Sequence, residues 1–286
     1  MINRFTAGIA AMLEWQPLDS FGEPTDPGAV TVSVSSSTGA VVTSGAASGA
    51  GVELRTFALT AAHTATVDRL SVAWSVAGEE VHADTVDVVG GVWFGNDELR
   101  AAFPAVSDRG LFPARTIAAA RSQVEDSIER WTGRAWVPTL LVETIPATCR
   151  PYLIACRPNI RRVRWATLTT TSNTTAVADV EVIPGSDSGL LYRPDGWGED
   201  GMITVAYEAG ADRPTPQLKA AAMRLCAEVL AKSKGGGLPE NASSYSSTEL
   251  GWSAVLVTPG VRGAHTSIPS VNEAIDAHTF DRLGVG

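Results

Sequence analysis

The period of the apolar residues changes at Gly90-Gly91, and this change restricts the chain to a fold with two different parts. Before that point apolar and small polar residues alternate, as in Val30–Ser35. Such alternation is typical of a β-strand with one buried face. After that point, in Ala114–Thr132, apolar residues recur at steps of three and four, which is typical of a helix with one buried stripe. The sequence therefore predicts a β-domain at 1–91 and a helical domain at 92–286.

The predicted N-terminal domain has the spacing of strands and turns that a small β-sandwich requires. Its strand-like runs lie at 30–35, 40–43, 51–59, 68–76 and 81–88. Several short strands at this spacing, separated by turn residues, favour two packed sheets. Trp74 is the large side chain expected in the core. The cysteine pair of an antibody domain is absent, so the prediction is limited to an immunoglobulin-like (Ig-like) shape.

The second domain is predicted to contain four helices, at about 96–103, 114–132, 216–232 and 270–278. Asn96, Thr215 and Ser270 are placed to cap three of them, and Gly133 is placed to end the 114–132 helix. A β insertion is predicted at about 138–210, between the two long helices. A polar arm loop is predicted at 235–266, before the short C-terminal helix. The predicted fold class is α+β, an N-terminal β-sandwich followed by this helical domain.

Composition and residue spacing argue against an enzyme, a metal protein or a membrane protein. The net charge of −9 is unlike that of a protein built to grip nucleic acid. Cys149, Cys156 and Cys226 have no CxxC spacing and no histidine in ligand register, which favours reduced thiols. We expect all three to be buried or half-buried as core filler. No HExxH or GxSxG motif occurs, and no apolar run approaches the roughly 20 residues of a membrane helix. We therefore expect no catalytic residues, no cofactor and no metal, and synthesis in the cytoplasm.

Two charged groups leave the identity of their partners open. The polar face of the 114–132 helix is predicted to be solvated or to face another subunit, and it carries Arg121, Glu125, Asp126, Glu129 and Arg130. A basic concentration runs from Arg150 to Arg164. Ion pairing with an acidic neighbouring subunit is the favoured interpretation of this concentration. Contact with DNA phosphates is the alternative.

Four segments, in this order, carry a resemblance to a known family. They are Ala114–Pro138 (ARTIAAARSQVEDSIERWTGRAWVP), Arg213–Leu230 (RPTPQLKAAAMRLCAEVL), Leu238–Gly260 (LPENASSYSSTELGWSAVLVTPG) and Ile268–His278 (IPSVNEAIDAH). With the β insertion, they resemble the two long helices, the long loop and the closing helix of the head-to-tail adaptor (connector) proteins of tailed bacteriophages, of the HK97/SPP1 type. The resemblance covers about 96–286. The N-terminal β-domain is an addition to that family pattern.

The resemblance implies a structural, non-enzymatic subunit of the phage neck. Such subunits form a ring, typically of twelve copies, that docks on the portal protein and joins the DNA-filled head to the tail. The implied partners are the chain itself, the portal, and a tail-side neck or tail terminator protein. DNA would pass through the channel without specific binding. The implied location is the virion neck, after assembly in the host cytoplasm.

The candidate contact residues lie on the arm, the C-terminal segment, the long helix and the basic run. They are Tyr245, Trp252, Val255, Val257, Ile268, Val271, Ile275, Phe280, Arg121, Glu125, Arg161 and Arg162. The alternative hypothesis is a binding or decoration module, in which the β-sandwich recognises a carbohydrate or a cell surface. Exposed aromatic residues on the sandwich would favour that alternative, since aromatic rings stack on sugars.

Overall fold

The computed structural model describes residues 3–183, 189–198, 200–233, 244–247, 252–255 and 265–280. It has four α-helices and several β-sheets, which confirms the predicted α+β class. The chain forms two compact units, one from Met1–Gly91 with Val137–Asp212 and the other from Val92–Trp136 with Arg213–Gly286. The β insertion therefore belongs to the same unit as the N-terminal strands. The assignment of 92–286 to one adaptor domain stays a prediction.

The N-terminal part of the first unit consists of a sheet covered on one face by a two-stranded ribbon. Its strands are β1 (Asn3–Thr6), β2 (Ala11–Trp15), β3 (Val30–Ser35), β4 (Val41–Ala46), β5 (Arg55–Leu59), β6 (Asp68–Val76) and β7 (Glu79–Val89). The sheet has the order β1-β7-β6-β3-β4, with β1 parallel to β7, and β2 pairs with β5. Leu13 and Leu59 of the ribbon share a core with Trp74 of the sheet. Trp74 is thus a core residue, as predicted, and the Ig-like shape stays a prediction.

The β insertion forms two further sheets around a second core. Its strands are β8 (Thr139–Pro146), β9 (Tyr152–Ile154), β10 (Ile160–Thr169), β11 (Thr174–Ala176), β12 (Glu181–Val182), β13 (Leu190–Tyr192) and β14 (Met202–Ala209). One antiparallel sheet has the order β11-β10-β14-β8, and the other has the order β12-β13-β9. Trp197 is fully buried between them with Leu191 and Tyr207. Its indole N–H donates to the Pro151 carbonyl at 3.1 Å, which satisfies the buried donor.

Gly90 joins the N-terminal strands to the insertion through the backbone. The Gly90 N–H donates to the Pro138 carbonyl at 2.7 Å. A Cβ atom on Gly90 would lie 2.7–2.8 Å from three carbon atoms of the Pro138 ring, whereas a Cβ on Gly91 would meet no atom within 4 Å. The glycine pair that marks the boundary in the sequence therefore contains one glycine required for close approach and one that is not.

Gly90→Ala should lower the free energy of unfolding of the first unit by about 1–3 kcal/mol, since a methyl group must displace the Pro138 ring or the backbone. Gly91→Ala is the matched control and should change that free energy by about 0.5 kcal/mol or less. Urea unfolding followed by tryptophan fluorescence measures both. Equal effects of the two substitutions would contradict the close contact.

The second unit is mainly helical. Its elements are α1 (Asn96–Ala102), a single 3-10 turn (Pro104–Val106), α2 (Ala114–Thr132), α3 (Pro216–Ser233), β15 (Ser244–Ser247), β16 (Trp252–Val255) and α4 (Pro269–Asp276). Helix α3 contacts both α2 and α4. Among the described residues no helix combines the length and apolarity needed to cross a membrane.

The helix ends agree only in part with the predicted caps. Gly133 ends α2 in the left-handed conformation with φ +67°, as predicted. The Thr215 hydroxyl accepts the Leu218 N–H at 3.4 Å, in the position of an N-cap. The other two caps are wrong. Gly95 precedes α1, and Ile268 precedes α4, so Asn96 and Ser270 lie inside the helices they were predicted to cap.

Candidate assembly surfaces

Two carboxylates on the predicted solvated face of α2 are buried, so that prediction is wrong for Glu125 and Glu129. Their relative exposures are 0% and 5%. The Trp93 N–H donates to Glu125 Oε1 at 2.9 Å, and the Trp136 N–H donates to Glu129 Oε1 at 3.0 Å. Trp93 and Trp136 lie at the two ends of Val92–Trp136, where the chain enters and leaves the second unit. The two carboxylates therefore hold both ends of this segment to α2.

Arg121 is also held within the second unit. Its side chain is 12% exposed, and one guanidinium nitrogen donates to the Phe94 carbonyl at 3.0 Å and to Asn96 Oδ1 at 3.3 Å. Its Nε lies 3.8 Å from Glu125 Oε1. Arg121 and Glu125 thus make hydrogen bonds within the second unit. Their contact with another subunit stays a prediction.

The predicted contact residues of the C-terminal segment divide into buried and partly exposed. Val271 and Ile275 are fully buried in the second unit, whereas Ile268 and Phe280 are partly exposed. The Phe280 N–H donates to the Thr132 carbonyl at 2.8 Å, and the Arg134 guanidinium lies 5.2 Å from the Phe280 ring centroid. A partner of this segment would therefore meet Ile268, Phe280 and the polar face of α4 first.

His278 ties the end of α4 to the start of α3. Its Nδ1 lies 2.8 Å from the Ala274 carbonyl, which can only accept, so Nδ1 carries the proton. Its Nε2 lies 3.0 Å from the Thr215 hydroxyl, and the imidazole packs against the Trp136 ring in a T-shaped arrangement with 5.5 Å between the ring centroids. The C-terminal segment Ile268–His278 is thus anchored to α3 by specific contacts within the second unit.

Cys226 on α3 is fully buried, as expected of a thiol that acts as core filler. Burial raises the pKa of its thiol from 9.0 to about 12, because apolar surroundings disfavour the thiolate. Cys149 and Cys156 are exposed, so the prediction of buried thiols is wrong for these two. A thiol reagent should therefore label these two cysteines in the folded chain and spare Cys226.

Between pH 9 and about 12 the unfolded chain loses the Cys226 proton and the folded chain keeps it. The folded state thus binds more protons, and the free energy of unfolding should fall by about 1.4 kcal/mol per pH unit through this thiol alone. Urea unfolding of the native chain and of Cys226→Ala at pH 9 and 10 isolates the contribution, since all other groups are shared. Parallel pH profiles of the two proteins would contradict it.

Three arginines of the basic run have acidic partners within their own chain. Arg161 lies 2.7 Å from Asp212 Oδ1, and both Arg162 and Arg164 contact Glu208. Burial alone raises the pKa of Glu208, but the hydrogen bonds from Arg162 and Arg164 outweigh burial, so the pKa is lowered overall. The acidic partners of these three arginines lie on β14 and just beyond it, and contact of Arg161 and Arg162 with another subunit stays a prediction.

A polar cluster in the β insertion was not predicted from the sequence. The Tyr207 hydroxyl donates to Glu143, and the Cys156 N–H donates to Glu143 Oε2 at 2.8 Å. Burial, followed by the negative charge of Glu143, raises the pKa of the Tyr207 phenol well above its ordinary value. Glu143 and Tyr207 meet because β8 and β14 are neighbouring strands. The local sequence around Glu143 does not indicate a buried phenol 64 residues away.

Strand β9 presents apolar side chains at the edge of its sheet. Tyr152 is 51% exposed and Ile154 is 48% exposed, while Leu153 between them is buried. The Tyr152 ring lies 5.3 Å from the ring of Tyr192 on β13. β9 pairs with β13 on one side and with no strand of the described chain on the other. The result is a small exposed apolar face beside an open backbone edge.

The predicted arm contains a β-hairpin. β15 pairs antiparallel with β16, with Ser244 opposite Val255 and Ser247 opposite Trp252. The two strands form a sheet of their own, and no other strand of the described chain joins it. Tyr245, Trp252 and Val255 lie on this hairpin. Within the predicted 235–266 arm the structure describes 244–247, 252–255, 265 and 266. Val257 lies outside these residues.

The aromatic residues of the N-terminal β part do not form a stacking surface. Trp74 is buried, Phe5, Trp15 and Phe57 are partly buried, and Phe21 is 89% exposed. One exposed ring among these five gives little support to recognition of a carbohydrate. Among the described residues, no group of three or more His, Cys, Asp or Glu side chains could hold a metal ion.

No known family model matches this chain, and no curated protein is significantly similar to it in sequence. Among the solved structures that resemble it are three in which the match covers 65% of this chain and 93% of the other chain. They are the neck of an empty gene transfer agent particle computed with C6 symmetry (13% identity, TM-score 0.44), the neck of the native particle computed with C12 symmetry (14%, 0.43) and the virion of the native particle (13%, 0.42). Similarity at this level does not establish a shared fold or function.

Proposed function

We propose that this chain is a structural, non-enzymatic subunit of a tailed-phage neck, where copies of it form a ring between head and tail. The order of its elements supports the proposal. Two long helices, α2 and α3, are separated by a β insertion and followed by a hairpin and the short helix α4. This is the order that the resemblance to head-to-tail adaptors implies.

The observation that carries the proposal is the isolation of the hairpin β15–β16. Each strand has four residues, and its sheet has two strands. A two-stranded hairpin is marginally stable in water unless further strands or a packed face support it. A hairpin that follows a long helix, and that finds no strand partner within the described chain, is suited to pair with another copy.

A contact of this kind is heterologous, because the hairpin of one copy meets a different surface of the next. Heterologous contacts that close generate rings. We propose a ring of twelve copies that docks on the portal through the C-terminal segment Ile268–Phe280 and offers its other side to a tail protein. The net charge of −9 fits a channel through which DNA passes without binding.

Electron microscopy of the purified chain mixed with its portal protein tests the proposal. We expect closed ring density on the portal, and in complete particles the same density between portal and tail. A chain that remains a monomer beside the portal, or that is found in the capsid shell or tail tip, would overturn the proposal.

A further inference from the structure

We propose that β16 of one copy pairs with the open edge of β9 in a second copy, and so extends the β12-β13-β9 sheet with the hairpin. This inference rests on the proposed ring and names the surface that receives the hairpin. The occupant is a second copy of this chain, because the same chain contains both the hairpin and β9. Each has a strand edge that pairs with no other strand among the described residues.

The backbone of β9 is open on the side away from β13. The Ala155 N–H donates to the Gly189 carbonyl, and the Arg193 N–H donates to the Pro151 carbonyl, so odd-numbered residues of β9 face β13. In an antiparallel ladder the residues between them direct their N–H and C=O groups to the other side. Tyr152 and Ile154 therefore offer a short row of donors and acceptors to a strand that arrives from outside.

The side chains of the same two residues distinguish β9 from the other sheet edges. β11 is exposed but consists of two threonines and an alanine, and β8 also contacts β6 and β7. β4 has one large exposed apolar residue, Val41, followed by Ser44 and Ala46. In the part of the chain that the structure describes, β9 is the edge strand whose outward residues are both large, apolar and about half exposed.

The hairpin complements this edge in length and in residue type. β16 has four residues and β9 has three. The register of the hairpin places Tyr245, Ser247, Trp252 and Ala254 at positions of one face. Pairing of β16 with β9 brings a tryptophan position beside Tyr152 and Ile154, and aromatic cross-strand pairs of this kind stabilise a sheet. Main-chain bonds would supply affinity and the aromatic residues specificity.

Ile154→Pro tests the inference, because proline removes an N–H that faces away from β13 and leaves the pairing with β13 intact. Ala176→Pro on β11 is the matched control, since its N–H also faces away from the neighbouring strand. We expect Ile154→Pro to weaken self-association about tenfold or more and Ala176→Pro to leave it unchanged, as measured by sedimentation with and without the portal protein. Circular dichroism of both variants verifies that they fold.

Hydrogen exchange provides a second measurement on the native chain. The amides of Tyr152 and Ile154 should exchange more slowly in the assembled protein than in the dilute monomer. Rings that form without this protection and that tolerate Ile154→Pro would overturn the inference and leave the proposed function standing. Failure of the native chain to associate at all would overturn the proposed function. Protection of both amides in the dilute monomer would show that the hairpin pairs within its own chain, which also overturns the inference.

Discussion

Glu125→Ala should lower the free energy of unfolding of the second unit by about 3–5 kcal/mol, the cost of breaking a buried charge pair from one side. The Glu125 carboxylate is fully buried and accepts the Trp93 N–H at 2.9 Å. Its loss leaves that buried amide without its acceptor, and it removes the carboxylate that lies 3.8 Å from Nε of Arg121, whose side chain is 12% exposed. Urea unfolding followed by helical circular dichroism measures the effect.

The neighbouring residue on α2 is the matched control. Asp126 forms an exposed ion pair with Arg130 one turn further along, and such pairs contribute about 0.5 kcal/mol or less. Asp126→Ala should therefore have little effect, although it removes the same charge from the same helix. Glu125→Gln keeps an oxygen that can accept the Trp93 N–H and should fall between the two. If Glu125→Ala were as mild as Asp126→Ala, the proposed anchoring of the Val92–Trp136 segment would be wrong.

Arg55→Ala should destabilise the first unit by about 2–4 kcal/mol, through lost packing and lost charged hydrogen bonds. The Arg55 side chain is 1% exposed, although it carries a full charge. Its guanidinium donates to Asp26 Oδ1 at 2.9 Å and to the carbonyls of Gly51 at 3.0 Å and Glu53 at 3.3 Å. These bonds hold the loop that precedes β3 to the loop that precedes β5, beside the β2–β5 ribbon.

The partner of this ion pair should be far less sensitive than Arg55. Asp26 is 54% exposed, so water solvates its carboxylate and Asp26→Ala should cost about 1 kcal/mol or less. Arg55→Lys retains the charge but cannot reach three acceptors at once, and should lie closer to Arg55→Ala than to the native chain. Thermal unfolding of the three variants gives the order. If Asp26→Ala and Arg55→Ala lowered the stability equally, the ion pair would stabilise the loops, and the hydrogen bonds of the Arg55 guanidinium to the backbone carbonyls would not.

The helices followed closely from the sequence because their evidence is local. The apolar stripe of Ala114–Thr132 predicts a helix with its apolar residues in the core, and Gly133 predicts where that helix ends. Alternation predicted the Val30–Ser35 strand for the same reason. The predicted caps Asn96 and Ser270 are wrong because residues with side chains that can cap a helix also occur in its first turn, and these two lie one or two residues inside their helices.

The candidate contact surfaces were predicted less accurately than the helices, because the position of a charged residue in the sequence does not indicate which residue it will pair with. Glu125 and Glu129 have the spacing of a solvated face, yet their acceptor atoms bind amides at the ends of the segment that contains them. Arg162 and Arg164 similarly meet Glu208, 46 and 44 residues along the chain. Contacts at such separations depend on which strands become neighbours, and no local pattern records that.

Periodicity and glycine placement were therefore enough to assign the α+β class, the position of the long helices and the burial of Trp74, since each depends on residues within a few positions of one another. The pairing of the basic run, the burial of the α2 carboxylates and the open edge at Tyr152 and Ile154 emerged with the folded chain. Each of these depends on packing between distant segments, where burial and the geometry of hydrogen-bond partners determine whether a polar or apolar side chain faces protein or solvent.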